Sequence, residues 1–267
     1  MQRITSLQNP HVNSAVKLRD RRHREKQGRM VIDGARELQR AVAAGVRLVE
    51  VFVCEPLCRS DEARQVLSAL PATGAAVFSV SEAVFEKLAF GERAEGVLGV
   101  AAMPEATLGR LNLPANPLVA VLEGVEKPGN LGAVLRSADA AGVSALVAAD
   151  ARTDLYNPNA IRASLGTIFS LPVAAATTPQ TLRWLRHRGL AIFAARVDGS
   201  IPYSQADFRG PAAIVLGSEA HGLSSAWSGA GVSAVRLPMR GVADSLNVSA
   251  TAAVLFYEAL RQRSLGR

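Results

Sequence analysis

The chain alternates short apolar runs with amphipathic stretches over most of its length. In the first hundred residues, four apolar runs predict strands at 30–32, 48–54, 75–80 and 96–102. Helices are predicted at 12–28, before the first of these strands, and between the strands at 34–44, 61–70 and after Ser81, which is suited to capping a helix with apolar residues on one face. Strands that alternate with helices predict a small α/β domain over residues 1–105.

A second alternating region follows a stretch rich in proline. Pro104, Pro114 and Pro117 lie close together, so we interpret residues 106–116 as a linker and 117–267 as a second domain. Apolar runs predict strands at 118–125, 145–149, 168–173, 191–197, 213–216 and 235–238. Helical patterns lie at 131–141, 157–166, 179–188 and 246–263. Periodicity alone is typical of an ordinary doubly wound sheet.

Three apolar runs of the second region stop at clusters of Gly, Asn, Ser or an acid. The segments read VLEGVEKPGNLGAVLR at 121–136, IVLGSEAHG at 214–222 and LPMRGVADSLNVSAT at 237–251. Ligands of α/β sheets bind outside the carboxyl ends of the strands. The three strand ends therefore predict one composite site.

These segments resemble, in order, the three motifs of the SpoU-type RNA methyltransferases. In the first motif an Asn lies six residues before an Arg, as Asn130 and Arg136 do here. The second motif has a Leu-Gly-x-Glu core, which matches residues 216–219. The third has an apolar-Pro-Met step and then Ser-Leu-Asn-Val-Ser, which match 237–239 and 245–249. The resemblance covers roughly residue 117 to the C-terminus, and the N-terminal third resembles, more loosely, a small substrate-binding domain of the same family.

The resemblance implies a fold and an activity that periodicity could not indicate. SpoU-type enzymes belong to the SPOUT class, so we expect a C-terminal α/β trefoil-knot domain with a smaller N-terminal α/β RNA-recognition domain. The implied reaction is 2'-O-ribose methylation of RNA with S-adenosyl-L-methionine as cofactor. Ribosomal RNA is the favoured substrate and transfer RNA the alternative. The family also implies a homodimer formed through the C-terminal domain, and we expect a cytoplasmic protein.

The resemblance further implies which residues form the site. The expected catalytic residues are Arg136, Asn130, Glu219 and Asn247. The expected cofactor contacts are Leu216, Gly217, Leu237, Met239, Ser245, Leu246 and Asn247.

Other roles stay open from the residues alone. Arg136 could be solvated or paired with a buried acid, Glu219 could cap a helix beginning near His221, and Asn130 and Ser245 could each cap a helix. Because a guanidinium stays protonated, Arg136 is better suited to stabilising a developing alkoxide than to acting as a base. We expect the missing side chain of Gly217 to let a ligand approach the backbone.

The charge distribution suggests where RNA binds. The chain has 267 residues, a formal charge of +7 and a pI of about 10.1. Residues 1–40 hold ten Lys or Arg against four acids. Phosphate contacts dominate nucleic-acid affinity, so we predict an RNA-binding helix with Arg19, Arg21, Arg22 and Arg24. The alternative is a charged helix face that is simply solvated.

Several classes of protein are disfavoured. No apolar run is long enough to span a bilayer. Cys54 and Cys58 lack the further ligands that a zinc site needs, so we expect no metal. No G-x-G-x-x-G follows a predicted strand, which counts against a dinucleotide-dependent oxidoreductase. A catalytically silent RNA-binding protein of the same fold remains an alternative.

Overall fold

In the computed structural model, residues 2–90 and 95–265 are described, and strands and helices alternate along them. The strands are β1 (Gln2–Ile4), β2 (Arg29–Asp33), β3 (Leu48–Val53), β4 (Ala76–Val80), β5 (Val97–Ala102), β6 (Leu118–Glu123), β7 (Ala145–Ala149), β8 (Val173–Ala176), β9 (Ala191–Ala195), β10 (Ile201–Pro202), β11 (Ala212–Leu216) and β12 (Val232–Arg236). The helices are α1 (Pro10–Lys17), α2 (Arg21–Gln27), α3 (Ala35–Ala43), α4 (Asp61–Thr73), α5 (Glu82–Leu88), α6 (Pro128–Ala140), α7 (Pro158–Ala163), α8 (Thr178–His187) and α9 (Val248–Ser264).

The chain divides into two units whose limits differ from the predicted ones. The first unit comprises Met1–Pro104 and Tyr156–Ser170, and the second comprises Glu105–Leu155 and Leu171–Arg267. The segment 156–170 therefore groups with the N-terminal part, although we predicted one uninterrupted domain over 117–267. The predicted linker at 106–116 packs on the second unit: Ala106 accepts a backbone hydrogen bond from Ala175, and Leu111 is buried in that unit's core.

The first unit contains a mixed five-stranded sheet in the order β1-β4-β3-β5-β2. Strand β4 pairs in parallel with β1 and β3, whereas β5 pairs antiparallel with β3 and β2. The predicted strands of this part are all present, and β1 was not predicted. Helix α5 begins as predicted, because the Ser81 side chain accepts a hydrogen bond from the Val84 amide. Apolar side chains of α1, α5 and the sheet form one core.

The predicted helix over 12–28 is wrong in one respect, because the chain breaks at residues 18–20 into α1 and α2. Asp20 caps α2 by accepting a hydrogen bond from the Arg22 amide at 2.8 Å. The Arg24 side chain, only 1% exposed, turns back and donates to the carbonyls of Leu18 and Arg19 at 2.8 and 2.7 Å. The carbonyls that the break leaves free of helical partners are thus satisfied by a buried arginine.

The segment 156–170 is held within the first unit by polar contacts. The Arg162 guanidinium lies 3.2 Å from the Asp33 carboxylate, whose side chain is 2% exposed. Burial raises the pKa of Asp33 to about 6, and Arg162 acts in the opposite direction. Arg40 donates to the Leu165 carbonyl at 2.8 Å. Leu165 itself has a positive φ of 53°.

The predicted strand at 168–173 is wrong. Residues Thr167–Phe169 form a 3₁₀ turn, and β8 begins only at Val173. Pro172 lies within the predicted run and has no N–H to donate to a sheet. An apolar run that contains a proline was therefore a poor indication of a strand.

The second unit contains a seven-stranded sheet in the order β10-β12-β9-β11-β6-β7-β8, and every pairing is parallel. Strands β6, β7 and β11 are buried along their whole length, as expected for parallel strands covered on both faces. Helices α6 and α9 pack against each other. Because the strands are parallel, β6, β9, β11 and β12 all present their carboxyl ends at the same edge of the sheet.

The structure predicts unequal effects on stability for changes at two neighbouring arginines. Arg24→Ala should lower the free energy of unfolding by about 2 kcal/mol or more, because two carbonyls lose a charged donor. Arg22→Ala is the matched control, since Arg22 is exposed and should change stability by less than about 0.5 kcal/mol. Chemical denaturation of both variants measures the difference. Equal stability of the two variants would show that the buried guanidinium does not hold the α1–α2 turn.

Candidate active site

A pocket of about 490 Å³ lies at the carboxyl edge of the sheet in the second unit. It is lined by the residues that follow β9, by the turn after β11, and by the chain from the end of β12 into α9. The lining residues are Ala195, Arg196, Val197, Asp198, Leu216, Gly217, Ser218, Glu219, His221, Gly222, Leu223, Val235, Leu237, Met239, Asp244, Ser245, Leu246, Val248 and Thr251. Two of the three strand ends that predicted a composite site therefore meet here.

Six of the seven predicted cofactor residues line this pocket. They are Leu216, Gly217, Leu237, Met239, Ser245 and Leu246. The seventh, Asn247, is not among the lining residues. The side chain of His221 is exposed and also contributes to the wall.

The turn after β11 is compact because two glycines pack on each other. A Cβ built on Gly217 would lie 2.5 Å from the Leu223 amide nitrogen and closer still to the Gly222 carbonyl group. The Ser218 carbonyl accepts from the Gly222 amide at 2.9 Å, and the Ser218 hydroxyl accepts from the His221 amide at 3.2 Å. The chain itself therefore fills the side of Gly217 on which a side chain would lie, so the turn requires this glycine. The approach of a ligand to the Gly217 backbone stays a prediction.

The predicted catalytic residues fall into separate groups. Glu219 is exposed and lines the pocket. No helix begins at His221 in the described part of this turn, so Glu219 is not a helix-capping acid there. Asn130 and Asn247 lie together, with the Asn247 amide nitrogen 3.5 Å from the Asn130 side-chain oxygen.

The two predicted helix caps are wrong. Helix α6 begins at Pro128 with Lys127 at the cap position, so Asn130 lies inside the first turn. Helix α9 is capped by Asn247 and not by Ser245: the Asn247 side-chain oxygen accepts from the Ser249 amide at 2.9 Å. The pairing with Asn247 thus joins the start of α6 to the start of α9.

Arg136 lies on α6 outside the pocket lining. It is exposed, and across residues 2–90 and 95–265 its side chain has no hydrogen bond or ion pair. Six residues separate it from Asn130, which on an α-helix corresponds to a rise of about 9 Å and to a different face. A single chain therefore leaves this cation unengaged and does not bring it into the pocket wall.

Glu123 is a buried carboxylate that our sequence reasoning missed. It ends β6 and is 7% exposed. Its oxygens accept from the Ser224 amide at 2.7 Å, the Ser224 hydroxyl at 2.7 Å and the Thr178 hydroxyl at 2.8 Å. Glu123 therefore fastens the turn that follows β11 to the end of β6 and to the start of α8. An acid after an apolar run was the available signal, but nothing in the sequence indicated its partners.

A second missed feature lines the pocket at the end of β9. The Arg196 guanidinium holds the Asp198 carboxylate through two hydrogen bonds of 2.8 and 2.9 Å, and it also donates to the Ser228 hydroxyl. The hydrogen bonds from Arg196 lower the pKa of Asp198 below its ordinary value. An ionised carboxylate with remaining acceptor capacity thus stands at the pocket wall.

Among the described residues, no three His, Cys, Asp or Glu side chains come together so that they could hold a metal ion. In the same part of the chain, no helix is both long and apolar enough to cross a membrane.

Comparison with known families completes this description. The SpoU rRNA Methylase family matches residues 117–257, which include all three strand-end segments. The chain belongs to this family. The MRM3-like substrate binding domain matches residues 9–99.

Individual relatives align with this chain over nearly its whole length. The 23S rRNA (uridine(2479)-2'-O)-methyltransferase of Streptomyces viridochromogenes is 31% identical and covers 99% of this chain and 94% of its own length. A crystal structure of an RNA 2'-O ribose methyltransferase is 45% identical, with a TM-score of 0.86 over 98% of this chain and all of that one. An AdoMet-bound rRNA methyltransferase from Sinorhizobium meliloti is 28% identical, with a TM-score of 0.88 and 97% of each chain covered.

Removing the Glu123 carboxylate should loosen the pocket wall. Glu123→Ala leaves the Ser224 amide and the Thr178 hydroxyl without their acceptor, so stability should fall by about 2–4 kcal/mol. Hydrogen–deuterium exchange should increase over residues 217–224. Glu126→Ala is the control, because Glu126 pairs with Arg152 at the surface and exposed pairs contribute about 1 kcal/mol or less.

Unchanged exchange over 217–224 in Glu123→Ala would show that Glu123 does not hold this turn. Such a result would leave the buried carboxylate with a role in β6 alone.

Proposed function

We propose that this protein is an S-adenosyl-L-methionine-dependent 2'-O-ribose methyltransferase that acts on ribosomal RNA. The observation that carries the proposal is the meeting of the second and third motif segments around one pocket at the carboxyl edge of the sheet. Membership of the SpoU family and the activity of the Streptomyces relative support the same reaction. Ribosomal RNA is favoured over transfer RNA because that relative acts on 23S rRNA.

The pocket fits the cofactor in size and lining. A volume of about 490 Å³ lies within the range of small-molecule sites. Leucine and methionine side chains offer apolar walls, and free main-chain groups of the 237–246 segment can bond an adenine edge. S-adenosyl-L-methionine supplies an electrophilic methyl group on a sulfonium. Leu216, Gly217, Leu237, Met239, Ser245, Leu246 and Asn247 are the residues that we propose to hold it, six in the wall and Asn247 at the start of α9.

The chain's own residues must orient the ribose and stabilise the charge that develops on its 2' oxygen. The Arg136 guanidinium remains protonated, so we assign it to binding the adjacent phosphate and to stabilising the alkoxide electrostatically. Glu219, an exposed acid at the pocket, can accept a hydrogen bond from a ribose hydroxyl. The Asn130–Asn247 pair offers amide donors and acceptors where α6 and α9 begin.

We propose that the active form is a homodimer built through the second unit. Two observations favour it: Arg136 is exposed and outside the pocket of its own chain, and Tyr257 on α9 is 51% exposed. In such a dimer a second copy would cover Tyr257 and receive Arg136 at its own pocket. Sedimentation at twice the mass of the 28.1 kDa chain is the expected result, and a monomer under assay conditions would contradict it.

The trefoil knot is also a proposal. In the sheet, β9 and β11 lie between β12 and β6. Helix α9 follows β12 in the chain, yet it packs against α6, the helix that follows β6. The chain at 237–247 must therefore cross the carboxyl ends of β9 and β11, where the family's knot is expected. We propose that residues 1–105 recognise RNA and that the protein acts in the cytoplasm, where a ribosomal RNA substrate would be found.

The proposed RNA contacts need revision for two of the four predicted arginines. Arg24 is buried and cannot reach a phosphate. Arg19 is half-buried and donates to the carbonyls of Lys87, Leu88 and Ala89, at the end of α5. Arg21 and Arg22 are exposed and remain candidates, although Arg21 is paired with Glu25 at 2.7 Å.

A change at Arg136 tests the catalytic assignment. Arg136→Ala should lower the single-turnover rate of methyl transfer from labelled S-adenosyl-L-methionine to RNA by roughly a hundredfold or more, as for other groups that stabilise transition-state charge. Arg136→Lys should also be strongly impaired, because an ammonium cannot reproduce the planar fork. Near-parent rates in Arg136→Ala would show that Arg136 is only a solvated surface residue.

Binding titrations on the same proteins provide the control. S-adenosylhomocysteine should bind the parent and both Arg136 variants equally, because the proposed cofactor contacts lie on the other two motif segments. NADH should not bind. Cofactor binding without any methyl transfer by the parent would favour the alternative of a catalytically silent RNA-binding protein.

A further inference from the structure

A groove of about 590 Å³ lies between α1 and α2 in the first unit. Pro10, Asn13, Ser14 and Lys17 are spaced so that they form one face of α1, and His23, Lys26 and Gln27 form one face of α2. Gln8 completes the lining. The break at residues 18–20 turns these two faces toward each other, so the groove exists because the helix is interrupted.

The charge of this groove is positive and is not compensated locally. Lys17, Lys26 and His23 make no hydrogen bond or ion pair with any residue in 2–90 or 95–265, and none of the described lining residues is acidic. The nearest acids along the chain are engaged elsewhere. Asp20 caps α2, and Glu25 pairs with Arg21. Two ammonium groups therefore face a concave surface without counter-charges from the chain.

The remaining lining carries polar groups suited to hydrogen bonding, set among aliphatic side-chain carbons. The Ser14 hydroxyl lies 3.5 Å from the Gln27 side-chain oxygen. The Asn13 side-chain oxygen accepts a hydrogen bond from the Lys87 ammonium group at 2.7 Å. Among the described residues, the Gln8 side chain has no hydrogen bond. An amide offers both donors and acceptors, as the edge of a nucleobase does. Together with the two lysines, these groups can bond a ligand that carries both phosphate and polar edges.

We propose that the α1–α2 groove binds an unpaired nucleotide of the RNA substrate. Lys17 and Lys26 hold the flanking phosphates, the amides of Gln8 and Gln27 bond the base or ribose, and the His23 ring offers a face for stacking. The groove is large enough for one nucleotide, and a base splayed out of a loop presents the edges and the ring face that a paired base keeps inside the double helix. The inference rests on the proposed function, since it gives that RNA substrate a second contact within the first unit.

The proposal differs from generic attraction to a basic helix. The charge count of residues 1–40 pointed to Arg19, Arg21, Arg22 and Arg24. Of these, Arg19 and Arg24 satisfy carbonyl groups in the structure. The groove assigns RNA recognition to the lysines on the facing sides of α1 and α2. It also predicts a preference for single strands, which diffuse charge on a convex surface would not give.

The test uses the full chain and two double variants of equal charge loss. Lys17→Ala/Lys26→Ala removes the groove cations, and Arg47→Ala/Arg59→Ala removes two exposed cations elsewhere in the first unit. Each protein is titrated with a single-stranded ribosomal RNA fragment and with the same fragment fully paired to its complement, over a range of salt concentrations.

The groove variant should bind the single-stranded fragment roughly tenfold or more weakly than the parent does, and the slope of log affinity against log salt should fall by about 1.4 for two phosphate contacts. On the paired fragment, the groove variant should lose only as little affinity as the control variant does. Gln27→Ala should weaken single-strand binding without changing the salt slope, because Gln27 is uncharged.

The groove proposal would be overturned if the two double variants lost equal affinity for RNA. It would also be overturned if the groove variant lost equal affinity for single-stranded and for paired RNA. Binding of S-adenosylhomocysteine by the groove variant should match that of the parent. RNA affinity tests the groove, whereas methyl transfer from labelled cofactor by the parent protein tests the proposed function. Failure of one proposal can therefore be told apart from failure of the other.

Discussion

The carboxylate of Glu123 determines how the pocket edge of the second unit is assembled. It accepts three hydrogen bonds at the end of a fully buried strand and so joins β6 to Ser224, a residue 101 positions later, and to the start of α8. A buried carboxylate is costly unless its oxygens are hydrogen-bonded, so these partners must be in place together. The turn at 217–223 is fixed at one end by β11 and at the other by this contact. The wall on which the proposed cofactor contacts depend is therefore attached to the sheet at both of its ends.

The location of the site could be predicted from the sequence because parallel strands place their carboxyl ends on one edge. Gly217 and Leu237 each follow an apolar run, and both line the pocket. The partners of each residue could not be predicted, because they depend on strand order and on helix phase. Asn130 meets Asn247 across 117 residues. Arg136, only six residues from Asn130, lies on another face of the same helix. Residue spacing identifies a motif, but it does not show which of its side chains meet in one chain.

The basic segment near the N-terminus illustrates the limit of charge counting. Ten cations in forty residues predicted a basic RNA-binding surface, but burial decides what each cation does. Arg24 satisfies the carbonyls at a helix break, and Arg19 does the same at the end of α5. The less conspicuous Lys17 and Lys26 line a groove. The same interruption that made the predicted helix wrong thus created the surface to which we assign RNA recognition.

The central claim is methylation of a ribose in ribosomal RNA, and mapping of 2'-O-methyl groups tests it most directly. Ribosomal RNA from cells with and without the gene should differ at one ribose or very few, and the missing methyl group should return when the parent gene is restored. Restoration with the Arg136→Ala gene should leave that ribose unmethylated. Identical ribose maps in the two cell lines, or the loss of a methyl group from a base, would contradict the account.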